Sequence, residues 1–178
     1  VPKPGDPGSE TWKDKTNAWK TGGGGLWQTG SYDLSSKLTV WGTGNPVPIY
    51  DPQARPGDNL YTNSAVALDI ESGKLAWYFQ YTPNDSWDYD ENGIHLLYDT
   101  TINGENRKAV AHFGRNGFFY TLDRTNGSFI KSGQYVNDLN WTKGIDPKTG
   151  KPLEYDPKLD VQQYVTEARA LRAEAMKR

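Results

Sequence analysis

Residues 64–81 read SAVALDIESGKLAWYFQY, and residues 118–130 read FFYTLDRTNGSFI. In the first stretch a short apolar run (64–68) meets a turn (69–74) and returns as LAWYFQY (75–81). In the second, 118–122 meets 123–128 and returns at 129–130. Short runs rich in β-branched and aromatic residues read as strands, and the Asp…Gly segments between them as turns. Leu68-Asp69 matches Leu122-Asp123 and Gly73 matches Gly127, both 54 residues apart. Self-similarity at that period, built from hairpins, points to propeller blades. Two unrelated hairpins with common turn chemistry are the competing explanation.

The neighbouring segments extend the pattern. Residues 38–41 (LTVW) read as a strand ended by GTGNP at 42–46, and a Pro-rich loop (46–56) follows, closed by RPGDN at 55–59. Residues 95–98 (HLLY) and 109–113 (AVAHF) are two more strands, with the turn Asn103-Gly104 between them. Residues 1–20 read as an irregular lead-in carrying Trp12 and Trp19, and 141–155 as a polar loop with turns at Asp146-Pro147 and Thr149-Gly150. Val165, Ala168, Leu171 and Ala175 have helical spacing but a thin apolar face, and the end at Lys177-Arg178 carries no stop signal, which suits a truncated terminus. The expectation is one all-β segment: lead-in (1–20), blade strands and active-site loops (21–141), and a polar loop with a truncated end (142–178).

Composition supports strands over helices. Only 35% of the 178 residues are apolar, yet seven Trp and eleven Tyr stand among nineteen Gly and eleven Pro. A formal charge of −2 offers no basic patch, so no nucleic-acid partner is expected. No apolar run is long enough for a membrane span. Cysteine is absent, which excludes disulfides and thiolate metal sites. The chain opens on Val1 without a signal peptide, as a mature protein or an excised piece would.

The densest chemistry lies at 80–93, QYTPNDSWDYDENG, where Asp85, Asp88, Asp90 and Glu91 crowd together. On an extended backbone Asp88 and Asp90 would point to the same side, and two carboxylates so close need a cation, an arginine or a shared proton. A hard, oxygen-seeking cation is the usual solution, and a solvated acidic turn is the competing reading. Residues 88–93 match the first half of an EF-hand loop, but Asp99 stands where its last ligand should be Glu and a strand precedes it instead of a helix, so the EF-hand is rejected. His95 and His112 sit in strand-like runs outside any hydrolase motif. A glycosidase pair at Asp88 and Asp90 would be too close for most acid/base geometries. Four glycines at 22–25 permit a close backbone approach, and Trp27 behind them suggests tight packing; no Gly-Lys-Ser/Thr follows, so this is not a phosphate loop.

In this order, WKTGGG (19–24), Trp27, GTGNP (42–46), RPGDN (55–59), TPNDSWDYD (82–90) and HFGRNGFFYTLDR (112–124) resemble the PQQ-dependent methanol/ethanol dehydrogenases, periplasmic quinoproteins built on an eight-bladed β-propeller. Residues 65–77 resemble the family's tryptophan docking motif, which ties neighbouring blades together. The resemblance implies a partial β-propeller of about three blades with unpaired edges at both ends. It implies that the parent oxidises a small primary alcohol to an aldehyde by metal-assisted hydride transfer to PQQ, passes electrons to a periplasmic cytochrome c, and can be a homodimer.

Residue by residue, Trp27 matches the tryptophan under the quinone ring, and Gly25 a position facing PQQ where many relatives carry a hydroxyl or small residue. Asn45 matches an asparagine ligand of the cation, Asp88 the catalytic aspartate, and Arg115 the arginine that hydrogen-bonds the quinone oxygens. Asp90 resembles the additional acid of lanthanide-using members, so the resemblance favours a lanthanide ion over Ca²⁺ at Asn45, Asp88 and Asp90. Ile49 replaces an aromatic of the methanol pocket, which admits a larger alcohol. The family's full enzymes are much longer, and the cation's glutamate ligand lies in parts missing here. A fragment without turnover of its own is expected, and the rival is a non-catalytic propeller piece that binds a ligand or partner.

Overall fold

The computed structural model describes residues 1–13 and 17–164. The expected helical spacing at 165–175 lies outside them. Eight strands among the described residues form two four-stranded antiparallel sheets. The first holds β1 (Ser31–Asp33), β2 (Leu38–Gly42), β3 (Ser64–Asp69) and β4 (Leu75–Gln80), and the second β5 (Leu96–Ile102), β6 (Glu105–Phe113), β7 (Phe118–Asp123) and β8 (Phe129–Gln134). Within each sheet every strand pairs with its neighbours in sequence, giving two meanders, the architecture of propeller blades. The all-β expectation holds, with two complete sheets where about three blades were expected. Among the described residues of 1–30 and 135–164, the only regular features are the short 3₁₀ turns Ser9–Thr11 and Ala18–Lys20 and the isolated bridges Gly23↔Pro46 and Ile145↔Pro152. Proline and glycine interrupt the ladder there. The lead-in is nonetheless docked, because Trp12 is buried and its indole N–H donates to the Leu60 carbonyl.

The repeat is real down to its irregularities. Leu68 faces Leu75 and Leu122 faces Phe129, with register shifts at Ala67/Leu68 and Thr121/Leu122, again 54 residues apart. Gly73 and Gly127 take φ of 69° and 75°, and each N–H donates to the preceding turn aspartate's carbonyl (Asp69 and Asp123) at 2.8 Å. Residues 146–151 (DPKTGK) build the turn a third time, with Gly150 at φ 70° donating to Asp146 at 2.8 Å.

These turns serve as sockets. The Trp77 indole N–H donates to the Arg124 carbonyl at 3.1 Å and its ring lies on Gly127, where a Cβ would come within 2.5 Å of it. The Arg124 side chain reaches back to Asp33 of β1 at 3.0 Å and also binds Asp99 at 2.5 Å. Burial works to raise the Asp33 pKa, but hydrogen bonds from Ser36, Ser35 and Arg124 hold it well below the usual carboxylate range. The core between the sheets is aromatic, with Phe79, Tyr81, Tyr120, Trp141 and Tyr164 buried together. Their polar atoms are all satisfied: the Tyr81 hydroxyl pairs with His95 Nε2 at 3.0 Å, Tyr120 accepts from Asn116, Trp141 donates to the Asn116 carbonyl and Tyr164 to that of Pro83. Each such ring contributes roughly 1.5–3 kcal/mol by burial.

Antiparallel neighbours alternate direction, so the connections sort onto two ends. Residues 34–37, 70–74, 103–104 and 124–128 are short turns at one end. Residues leading into β1, and the connections 43–63, 81–95 and 114–117, gather at the other. Trp27, Asn45, Asp88, Asp90 and Arg115 all belong to that second end.

Candidate active site

The glycine run lies against the loop that ends β2. Gly24 N–H donates to the Asn45 carbonyl at 2.9 Å and Gly44 N–H to that of Gly25 at 3.0 Å. A side chain at Gly23, whose φ is 117°, would come within 3.0 Å of Val47 N. Trp27 lies across this bare backbone: a Cβ at Gly44 would be 2.7 Å from its ring, and one at Gly25 3.3 Å. The tight packing expected of Trp27 therefore holds for one face of the indole, and the residue remains 58% exposed.

The four acids of 82–92 divide into two kinds. The premise that Asp88 and Asp90 share a side on an extended backbone fails, because both are left-handed, at φ 66° and 47°. They are nevertheless close enough for Asp88 to raise the Asp90 pKa. Asp90 accepts from Asn45 N–H at 2.8 Å and pairs with the Arg115 guanidinium at 2.9 Å. Burial pushes the Asp90 carboxyl up first; the Asn45 N–H opposes this, Asp88 adds to it, and Arg115 opposes it, for a net rise. Asp88 is half-buried, and its carboxylate accepts no hydrogen bond among the described residues. The Asn45 amide donates to the Pro46 carbonyl at 2.9 Å, which fixes the side chain through its nitrogen.

Asp85 and Glu91 are buried anchors. Asp85 accepts from the N–H groups of Trp87 and Tyr89, both at 3.0 Å, and from Asn63 Nδ2 at 3.2 Å. Burial raises its pKa to about 6 against those donors. Glu91 pairs with His112 Nε2 at 2.7 Å and accepts from Arg115 N–H at 3.2 Å, and its pKa is raised, chiefly by burial. His112 stacks on His95 with ring centres 4.2 Å apart and planes 2° from parallel. Burial first, and His112 second, push the His95 pKa well down.

Local sequence did not single out several residues that hold this arrangement. With its amide nitrogen toward the carbonyls of Gly25 and Gly42 (2.9 and 3.0 Å) and its oxygen accepting from Gly44 N–H (3.0 Å), Asn92 ties the glycine run to β2. Gly42 is obligatory beside it, since a Cβ there would lie 1.9 Å from the Glu91 carbonyl oxygen. Arg55, fully buried, gives Nε to the Pro48 carbonyl (2.6 Å) and Nη1 to Asn59 Oδ1 (2.8 Å), and binds the carbonyls of Ile49 and Asp85. The signal available was its place within RPGDN.

Trp27, Asp90, His112, Phe113 and Arg115 line a cleft of about 290 Å³. Asn45 and Asp88 are outside its lining, although Asn45 touches Asp90 directly. Among the described residues no three His, Cys, Asp or Glu side chains converge on a common cation position. No described helix is long and apolar enough to cross a membrane.

Residues 2–132 match the family model described as PQQ, glucose/ethanol/alcohol dehydrogenase, β-propeller domain. Quinoprotein alcohol dehydrogenase PedH of Pseudomonas putida is 43% identical over 152 residues, which is 85% of this chain and 25% of that protein. Among solved structures, a europium-containing methanol dehydrogenase matches with a TM-score of 0.77 and 38% identity over 85% of this chain and 26% of that one. The quinohemoprotein alcohol dehydrogenase of Comamonas testosteroni gives 0.75 and 42% over 82% and 22%. The chain thus spans about a quarter of the length of such relatives. With the blade pairing, the docked Trp77 and the motif order all in agreement, the chain belongs to the PQQ-dependent glucose/ethanol/alcohol dehydrogenase β-propeller family.

Proposed function

We propose that this chain forms one wall of the active site of a PQQ-dependent alcohol dehydrogenase that oxidises a primary alcohol to an aldehyde with the help of a cation. The observation that carries this reading is Asp90, whose carboxylate is held between Asn45 N–H and Arg115 at the edge of a cleft floored by Trp27.

The residues suit both groups. The Trp27 indole rests on Gly25 and Gly44, and its open face is what a planar ring needs. Asn45, Asp88 and Asp90 offer only oxygen donors, the set preferred by hard cations. Two carboxylates with an amide oxygen favour a trivalent lanthanide over Ca²⁺, because the higher charge offsets the second carboxylate more fully. Trp27 would hold PQQ on its open face, and the bound quinone would supply the two-electron acceptor. Asp88, whose carboxylate accepts no hydrogen bond among the described residues, would take the alcohol's hydroxyl proton. Arg115, its backbone N–H held by Glu91, would hydrogen-bond the quinone oxygens and offset negative charge there. The whole enzyme works in the periplasm and passes its electrons to a cytochrome c.

A PQQ titration followed by tryptophan fluorescence tests the reading in La³⁺, in Ca²⁺ and with a chelator. Saturable, cation-dependent quenching that disappears in Trp27→Ala supports it, with tighter binding in La³⁺ marking the lanthanide preference. Quenching that is unchanged by chelator and by Trp27→Ala removes the site from these residues.

A further inference from the structure

The two loops that carry the candidate cation ligands are bolted together underneath by a buried polar cluster. Asp85 is its centre. Its Oδ1 accepts from Trp87 N–H and its Oδ2 from Tyr89 N–H, both at 3.0 Å, so the two amides that flank Asp88 are tied to one carboxylate. Asp88 sits between them at φ 66°, a backbone conformation that a non-glycine residue keeps only where its surroundings fix it. Oδ2 also accepts from Asn63 Nδ2 at 3.2 Å, and Asn63 belongs to the connection 43–63 that carries Asn45. The Asp85 carbonyl accepts from Arg55, whose other donors hold the carbonyls of Pro48 and Ile49 in that same connection. Asn84 adds a bond from its Nδ2 to the Gly57 carbonyl at 2.8 Å.

We infer that Asp85 is the positioning residue of this site: by clamping the amides on either side of Asp88 and linking them to the Asn45 connection, it holds the cation-binding oxygens at their working separation. Asp85 itself lines no part of the cleft and is buried, so it acts through Asp88. The inference rests on the proposed role of Asn45, Asp88 and Asp90 as cation ligands. Residues that orient metal ligands from behind typically change affinity by about 10–100-fold when altered.

The probe is Tb³⁺, whose luminescence is sensitised by nearby Trp and Tyr such as Trp87 and Tyr89, titrated into the 178-residue chain. Asp85→Asn keeps the size of the side chain but replaces one accepting oxygen with a donor. It should weaken Tb³⁺ binding by about tenfold or more while far-UV circular dichroism stays native. Asp33→Asn disturbs the Arg124 pair at the opposite end and controls for loss of stability alone; its affinity should stay within about twofold of the parent. Asn63→Gly removes one bond to Asp85 and suits Asn63's φ of 49°, so it should give a smaller loss in the same direction and serves if Asp85→Asn does not fold. Amide hydrogen exchange at Trp87 and Tyr89 gives a readout without metal, and should rise in Asp85→Asn but not at Tyr120 in the core.

Wild-type affinity and unchanged exchange in a folded Asp85→Asn overturn the inference, and so does an equal loss of Tb³⁺ binding in Asp33→Asn. If the parent chain binds no Tb³⁺ yet exchange rises only at Trp87 and Tyr89, the cation reading falls and the positioning of Asp88 stands.

Discussion

The two ends of the paired sheets are built from the same strands by opposite rules. At the turn end, connections are short, and 70–74 and 124–128 are near copies because one geometry serves both: an aspartate accepting from the turn, then a glycine at positive φ. At the site end the connections run from the four residues 114–117 to the twenty-one residues 43–63, and none resembles another. Repetition marks where the chain only has to turn and to receive the neighbouring sheet. Irregularity marks where each loop delivers a different group, such as the Asn45 amide, the Asp88 and Asp90 carboxylates or the Arg115 guanidinium. Function resides in loops held by a rigid scaffold.

This contrast breaks most visibly at Trp77. Trp77→Ala removes a buried indole and its bond to Arg124, and should cost about 3–5 kcal/mol in chemical denaturation. Cation affinity per folded molecule should be nearly unchanged; a parallel loss of both would erase the distinction between the ends.

The next effect is pH-dependent and comes from Asp85. Its folded pKa of about 6 lies above the ordinary aspartate value of 3.8, so between those values the folded state binds the extra proton. Its contribution is fully present below about pH 4 and is lost as pH rises through about 6, a change of roughly 3 kcal/mol. His95, kept neutral by burial, works the other way, and its contribution is lost as pH falls below 6.5. The diagnostic is therefore the stability of the parent minus that of Asp85→Asn across pH 4–7. A flat difference would contradict the buried-anchor assignment.

A smaller effect is expected at Gly127. Gly127→Ala places a Cβ within 2.5 Å of the Trp77 ring at φ 75°, for a loss of roughly 1–3 kcal/mol. The same change at Gly73, where φ is 69° but nothing lies within 4 Å, should cost only the backbone part, about 1 kcal/mol. Equal losses at the two glycines would mean that the socket adds nothing.

The smallest stability effect belongs to the site itself. Trp27→Ala should shift stability by no more than about 0.5 kcal/mol, because the ring is more than half exposed, while abolishing the PQQ-dependent quenching.

The same division explains what could be read from sequence. Strand alternation and the Asp…Gly turns are local signals, so β3, β4 and β7 were legible to within a residue or so of their ends. β1 was not, since Ser31–Asp33 is three residues without an apolar run, and the polar outer part of β8, Lys131 to Gln134, reads as loop. Trp27, Asn45 and Arg115 were singled out through motif order, and Asp88 and Asp90 first through their crowded like charges. The separation of Asp88 and Asp90 from Asp85 and Glu91 was invisible, because burial depends on what folds over the loop. In particular, it depends on Arg55 and Asn63 from one distant segment and on His112 from another.

Arg124 receives a bond from Trp77 on its backbone and returns one to Asp33 through its side chain, so one residue fastens both sheets at the turn end. The site lies at the far end, and leverage follows. Strands of six residues span about 20 Å, so a rotation of only about 3° at that fastening would move Asn45 relative to Arg115 by about 1 Å. The rings packed between the sheets, Phe79 and Tyr81 against Tyr120, oppose that rotation, so loss of the Arg124 fastening costs stability and leaves the spacing at the far end in place.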